Sequence, residues 1–148
     1  MKKVDLHRLL IAFSIVFSLD TFAEQNPLTL TVLVDGAKAN TGQAIASLFS
    51  SADNYLKEPV YKQIMPINDE GGARFIFNEL EAGTYAVSVV YDEDRDGHLN
   101  TGFFGIPSEL VGFSNNAKGT FGPPSFNKTS FTFSESETIS IILGGAKQ

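Results

Sequence analysis

Asp92, Asp94 and Asp96 alternate along the chain, and Gly97 follows directly. A hard divalent cation takes several oxygen ligands on a sharply turning backbone, and a D-x-D-x-D-G run supplies both. In such a loop the three aspartates occupy positions one, three and five, and Gly97 makes the turn at six. The His98 carbonyl falls at seven and the Asn100 side chain at nine, directly or through water. Position twelve, where an EF-hand carries a bidentate glutamate, is Phe103. Asp92, Asp94, Asp96, His98 and Asn100 are therefore an incomplete ligand set for Ca2+, and the ion needs waters or a ligand from elsewhere. Such a site is expected to be weak, at about 10⁻⁴–10⁻³ M. Without a cation, Glu93 and the three aspartates repel one another with only Arg95 to offset them. The alternative is a solvated turn in which Asp and Asn side chains bond nearby backbone N–H groups.

Other chemistry has little to work with. The chain has two histidines and no cysteine or tryptophan. One histidine, His7, lies in the N-terminal segment, so His98 is the sole imidazole for the remainder. Histidine-dependent nucleophilic catalysis and cysteine zinc sites are thereby disfavoured, and no catalytic residue is assigned. Paired carboxylates remain available for hydrolysis, but nothing in their spacing selects a pair.

The N-terminal segment reads as a signal peptide over residues 1–23. Lys2, Lys3 and Arg8 are basic, residues 9–19 are apolar apart from serines, and Thr21-Phe22-Ala23 offers a cleavage site. The apolar run falls short of the about 20 residues a bilayer span needs, so no transmembrane segment is expected after cleavage. Periplasmic or secreted localisation, and a single domain over 24–148, follow as expectations. Of the 11 basic and 17 acidic residues, three and two lie in this segment, which leaves a net charge of −7 on the remainder. That acidity disfavours nucleic acid, whose phosphates it would repel, and suits a cation.

The elements that must hold the acidic loop read as β throughout. Leu28 to Val34 alternate and end at Asp35-Gly36; residues 42–49, 60–67 and 74–77 read as further strands. Residues 83–92 form the clearest strand, with Tyr85, Val87, Val89 and Tyr91 on one face. Residues 129–133 and 138–143 complete about seven strands, joined at their ends by an acidic turn. The fold class expected is all-β: an antiparallel Greek-key β-sandwich, immunoglobulin-like or transthyretin-like. Phe75, Phe77, Tyr85, Val87, Val89, Phe131 and Ile141 fall on inward faces. Leu80-Glu81-Ala82-Gly83-Thr84-Tyr85 places a tyrosine where a sandwich corner turns, with its hydroxyl aimed at upstream backbone.

Residues 102–126 make one long connection rich in Gly, Phe and Pro, too long for an incidental turn. Two arrangements suit its rings. They fold back over an open end of the core, or some line a shallow pocket with Phe104, Phe113, Asn115, Asn116 and Phe121 around a ligand.

These blocks carry a resemblance. Gly83-Thr84-Tyr85-Ala86-Val87 leading into Asp92–Gly97, then Phe104-Gly105-Ile106-Pro107, Gly112-Phe113-Ser114-Asn115-Asn116-Ala117 and Phe121-Gly122-Pro123-Pro124-Ser125-Phe126, resemble the bacterial "domain of unknown function 2141" family. The corner and acidic loop are more broadly similar to transthyretin-like and carboxypeptidase-regulatory-like sandwiches. The resemblance implies an exported β-sandwich and supplies no catalytic residues. The function expected is a non-enzymatic binding or structural module with a weak calcium loop, its partner an exported protein or a small ligand. The alternative is a carboxylate- or metal-dependent hydrolase using the same loop and the adjacent Phe-rich pocket.

Overall fold

The computed structural model describes residues 27–145, so the signal segment expected over 1–23 lies outside the described residues. Among the described residues the eight strands are β1 (Leu28–Asp35), β2 (Gln43–Phe49), β3 (Tyr61–Pro66), β4 (Ala73–Leu80), β5 (Gly83–Asp92), β6 (Val111–Phe113), β7 (Phe131–Phe133) and β8 (Glu137–Ile142). One helical turn, α1 (Phe126–Thr129), and two short 3-10 turns interrupt them. The strands form two sheets packed face to face. One has the order β4-β1-β8; the other runs β3-β2-β5-β6, with β7 also on β5.

Alternation decides which side chains meet between the sheets. Leu30, Val32 and Val34 of β1, Phe75 and Phe77 of β4 and Ile141 of β8 face Ala44, Ala46 and Leu48 of β2, with Val87 and Val89 of β5, in one buried cluster. A two-residue period leaves each strand one inward set, and the core collects those sets. Phe133 shares that cluster, fully buried, whereas Phe131 is half-buried at its margin. The inward assignments thus hold, except that the deep ring of β7 is Phe133. On the outer face of β2 and β5, Phe49, Ala86, Tyr55 and Phe126 make a second small cluster. The Phe49–Tyr55 and Tyr55–Phe126 rings meet edge-to-face at 5.4 and 5.7 Å.

Three features depart from a simple antiparallel sandwich. β8 runs parallel to β1, so β7 and β8 are not a hairpin: the chain crosses from one sheet to the other between them. β6 was not legible as a strand, because three residues with a central glycine carry no period. The last departure is an extra residue on β4, where Leu28 pairs with Leu80 but Leu30 with Phe77. Glu79 sits in that bulge at φ 59°. The corner tyrosine does turn back, and the Tyr85 hydroxyl donates to the Glu81 carbonyl at 3.1 Å.

The sequence Ser114-Asn115-Asn116 closes the sandwich. β5 pairs β7 over Gly83–Tyr85 and β6 over Ser88–Val90, which leaves Val87 between two ladders. The Ser114 hydroxyl fills the gap, accepting the Val87 N–H at 2.9 Å and donating to the Thr129 carbonyl at 2.6 Å. Asn115 Nδ2 donates to the carbonyls of Lys128 and Ser130. Asn116 lies along the open edge of β8, donating to the Ser140 carbonyl and accepting the Ile142 N–H. Three consecutive side chains therefore act as substitutes for strand backbone. Gly112 lets β6 approach β8: a Cβ there would lie 2.6 Å from Ile141 Cγ2.

Candidate metal site

β5 leaves the core at Asp92. Alternation puts Tyr91 inward and Asp92 on the outer face, yet Asp92 is fully buried. The reason is the loop that follows, which folds back over it. Arg95 and Gly97 are left-handed, at φ 63° and 82°, and turn the chain. Asp94 Oδ1 accepts the Asp96 N–H at 3.2 Å and Asp96 Oδ1 accepts the His98 N–H at 2.8 Å, two successive Asx turns. Arg95 Nη2 donates to the Gly42 carbonyl at 3.2 Å and ties the loop to the start of β2. Gly42 must be a glycine: at φ +68° its Cβ would stand 2.6 Å from the Asp92 carbonyl oxygen.

The Asp92 carboxylate is the node of the loop. Its Oδ1 accepts the Asp96 N–H at 3.1 Å; its Oδ2 accepts the Gly97 N–H at 2.9 Å and Gln43 Nε2 at 2.8 Å. Gln43 stands directly opposite on β2. Burial pushes the Asp92 carboxyl up, but hydrogen bonds donated by the Gln43 side chain and by the Gly97 and Asp96 N–H groups outweigh it. Together they hold Asp92 below the usual carboxylate range. It is therefore ionised at neutral pH.

Asp94 and Asp96 join it from the exposed side. One oxygen from each of the three carboxylates lies within 4.8 Å of the others. That span is close to twice a calcium–oxygen distance of about 2.4 Å, so small side-chain movements would bring all three within reach of one cation. Lone pairs remain for it. A carboxylate offers about four acceptor positions, and the hydrogen bonds above fill three on Asp92. On Asp94 they fill two, the second through Asn100 Nδ2 at 3.0 Å on Oδ2.

The structure brings the three aspartates together, and His98 and Asn100 meet them as hydrogen-bond donors. Asn100 meets Asp94 through its amide nitrogen, a donor, and not through a ligating oxygen. His98, expected to ligate through its backbone carbonyl, donates its N–H to Asp96 Oδ1. Sequence reasoning missed Gln43 and Glu109. Glu109 accepts the Glu93 N–H at 3.0 Å and the Asn100 N–H at 2.9 Å, so one carboxylate fastens both ends of the loop. A signal was present: Glu109 is the only acidic residue between Asp96 and Glu135.

The five residues expected around a ligand do not converge. Phe104 and Phe121 are fully exposed, and Phe113 is half-buried in β6. The amides of Asn115 and Asn116 are committed to backbone, which is why they face no ligand. Nor do Phe103, Phe104 and Phe121 fold back over the core. Two open clefts lie instead at the other end of β5, sharing Glu79 and Glu81 between them.

Neither curated proteins nor solved structures gave a match to this chain. Among the described residues no helix is long and apolar enough to cross a membrane. Most of the β-sandwich, with its corner tyrosine and its acidic loop, lies within the stretch 32–140 that matches the family described as "uncharacterized protein conserved in bacteria". The chain therefore belongs to the domain of unknown function 2141 family.

Proposed function

We propose that this chain is an exported, non-enzymatic binding module whose 92–100 loop takes Ca2+ weakly. The observation that carries the reading is the convergence of the three aspartate oxygens within 4.8 Å, on a buried carboxylate held ionised by its donors. Waters would complete the shell, since Phe103 offers no ligand at position twelve. An exported protein or a small ligand would be its partner, and the periplasm or the exterior its place. Support for export is the basic, apolar and small-residue order of residues 1–23. Intact-mass analysis tests it directly, with a product beginning at Glu24 expected.

Thermal melting against calcium tests the site, with magnesium as control. Binding to the native state alone stabilises by RT ln(1 + [L]/Kd), about 1.8 kcal/mol at twenty times the dissociation constant. Magnesium should give less, because it demands tight octahedral geometry and releases water reluctantly. Asp94→Asn and Asp96→Asn should each weaken the response. Equal shifts from both ions, unchanged in the two variants, would leave only an acidic turn. Asp92 is unsuitable for this comparison. Repulsion alone would suggest that removing Asp92 and Asp96 relaxes the loop, but Asp92 accepts three hydrogen bonds and its loss damages folding.

A further inference from the structure

Directly after the acidic loop the chain makes a small hairpin. Thr101 bridges Pro107, Gly102 N–H reaches the Ile106 carbonyl at 2.8 Å, and Gly105 N–H reaches Gly102. Its base is closed at Asn100, whose carbonyl accepts both the backbone N–H and the hydroxyl of Ser108. At the tip Phe103 is 91% exposed and Phe104 100% exposed, with Ile106 also out in solvent. Phe104 is left-handed at φ 62°, a conformation that disfavours a bulky residue. Strain held at an exposed aromatic ring, on a braced hairpin, points to a role for the ring itself.

From this geometry we propose that the 101–107 hairpin is a docking finger that places Phe103 and Phe104 among the lipids of a zwitterionic bilayer surface. Three observations select that occupant. No residue from Thr101 to Pro107 is charged, so the tip meets hydrocarbon without desolvating an ion. Backbone hydrogen bonds from the Gly102, Gly105 and Ile106 N–H groups hold the hairpin's shape, so the rings can enter hydrocarbon while the remaining main chain of the tip stays at the level of the headgroups. Below the tip, exposed Glu93, Asp94 and Asp96, with Asp92 and Glu109 behind them, outnumber Arg95 and the Lys38 paired with Glu93, which leaves a net acidic collar. A collar of that sign attracts the outward ammonium groups of choline and ethanolamine headgroups and is repelled by anionic lipid. Two rings give reversible attachment only, weaker than an acyl chain. The inference does not require that the acidic loop hold a cation.

The test is flotation of the protein, purified as the cell produces it, with vesicles of phosphatidylcholine and phosphatidylethanolamine at millimolar lipid. Any contribution of the N-terminal segment is the same in wild type and in a Phe103→Ser, Phe104→Ser double variant, so their difference isolates the finger. The variant is expected to bind about tenfold or more weakly, the effect of withdrawing two rings from hydrocarbon. Its melting temperature should not change, because neither ring is buried. Adding phosphatidylglycerol should weaken wild-type binding. Equal flotation of the two proteins overturns the proposal, as does absence of flotation for both. Preference for anionic vesicles overturns it as well. Phe-dependent crosslinking to a single protein, without vesicle binding, replaces the bilayer with a protein pocket.

Discussion

Replacing Ser114 by alanine should destabilise the protein by about 2–4 kcal/mol, far beyond an ordinary serine change. The magnitude follows from the gap in the β5 ladder. The Ser114 side chain is buried and so is Val87, whose N–H has the Ser114 oxygen as its partner. Alanine leaves that N–H without an acceptor and out of reach of water, which costs about 1–3 kcal/mol. The 2.6 Å bond to the Thr129 carbonyl disappears as well, about another 1 kcal/mol. For a domain of this size each kcal/mol lowers the melting temperature by about 3–5 °C, so a fall of about 6–20 °C is expected. Urea midpoints and thermal melts measure it, and hydrogen exchange at the Val87 amide localises it. Ser140→Ala is the control, because Ser140 is exposed and contributes only its carbonyl to Asn116. A Ser114→Ala loss below about 0.5 kcal/mol would refute the reasoning, since water or a shifted strand would then serve Val87 equally well.

Two further outcomes can be checked by the same methods. Gly112→Ala should cost about 1–3 kcal/mol, because the new methyl meets Ile141 Cγ2 at 2.6 Å and the Ile142 carbonyl at 3.3 Å; an unchanged midpoint would show that the β6–β8 corner yields freely. Asp92 is lowered from an ordinary value of 3.8, so its contribution is present above that pH and is lost as pH falls through its folded value. The stability gap between wild type and Asp92→Asn should therefore narrow below about pH 4, and a gap constant through the acid range would contradict it.

The parts of the fold legible in the sequence were those with a local cause. β5 matches its expected bounds because ten residues alternate without a break, and a short turn precedes it. The corner tyrosine and the aspartate trio were legible because each is a fixed spacing on a single turn. β8 as a parallel partner of β1 was not, since no local pattern encodes which distant strand a segment joins. Asn115 and Asn116 were misread for a chemical reason. An amide offers a donor and an acceptor equally well to a ligand or to main chain, and only the neighbouring strand edges decide. The phenylalanines failed similarly: apolar composition predicts burial on average, and Phe103 and Phe104 sit on a hairpin too small to bury them. Gln43 was invisible because its relation to Asp92 is a cross-strand register.

The parallel pairing of β1 with β8 sets an order on assembly. β1 is the middle strand of its sheet, and one flank of it stays bare until residues 137–142 arrive. The bond from Thr29 N–H to the Ser136 hydroxyl joins residues 107 positions apart. Ile141 fills its place in the core only with that last strand. A chain emerging N-terminus first therefore carries an unfinished sheet until residues 137–142 are free. Closure over so long a span is intrinsically slow. Under the export proposed above that delay is an asset, because the segment already made cannot lock into a body too wide to pass through a narrow channel. The same delay leaves the edge of β1 open to pairing with other chains, so a holding chaperone should matter most just before the final strand appears.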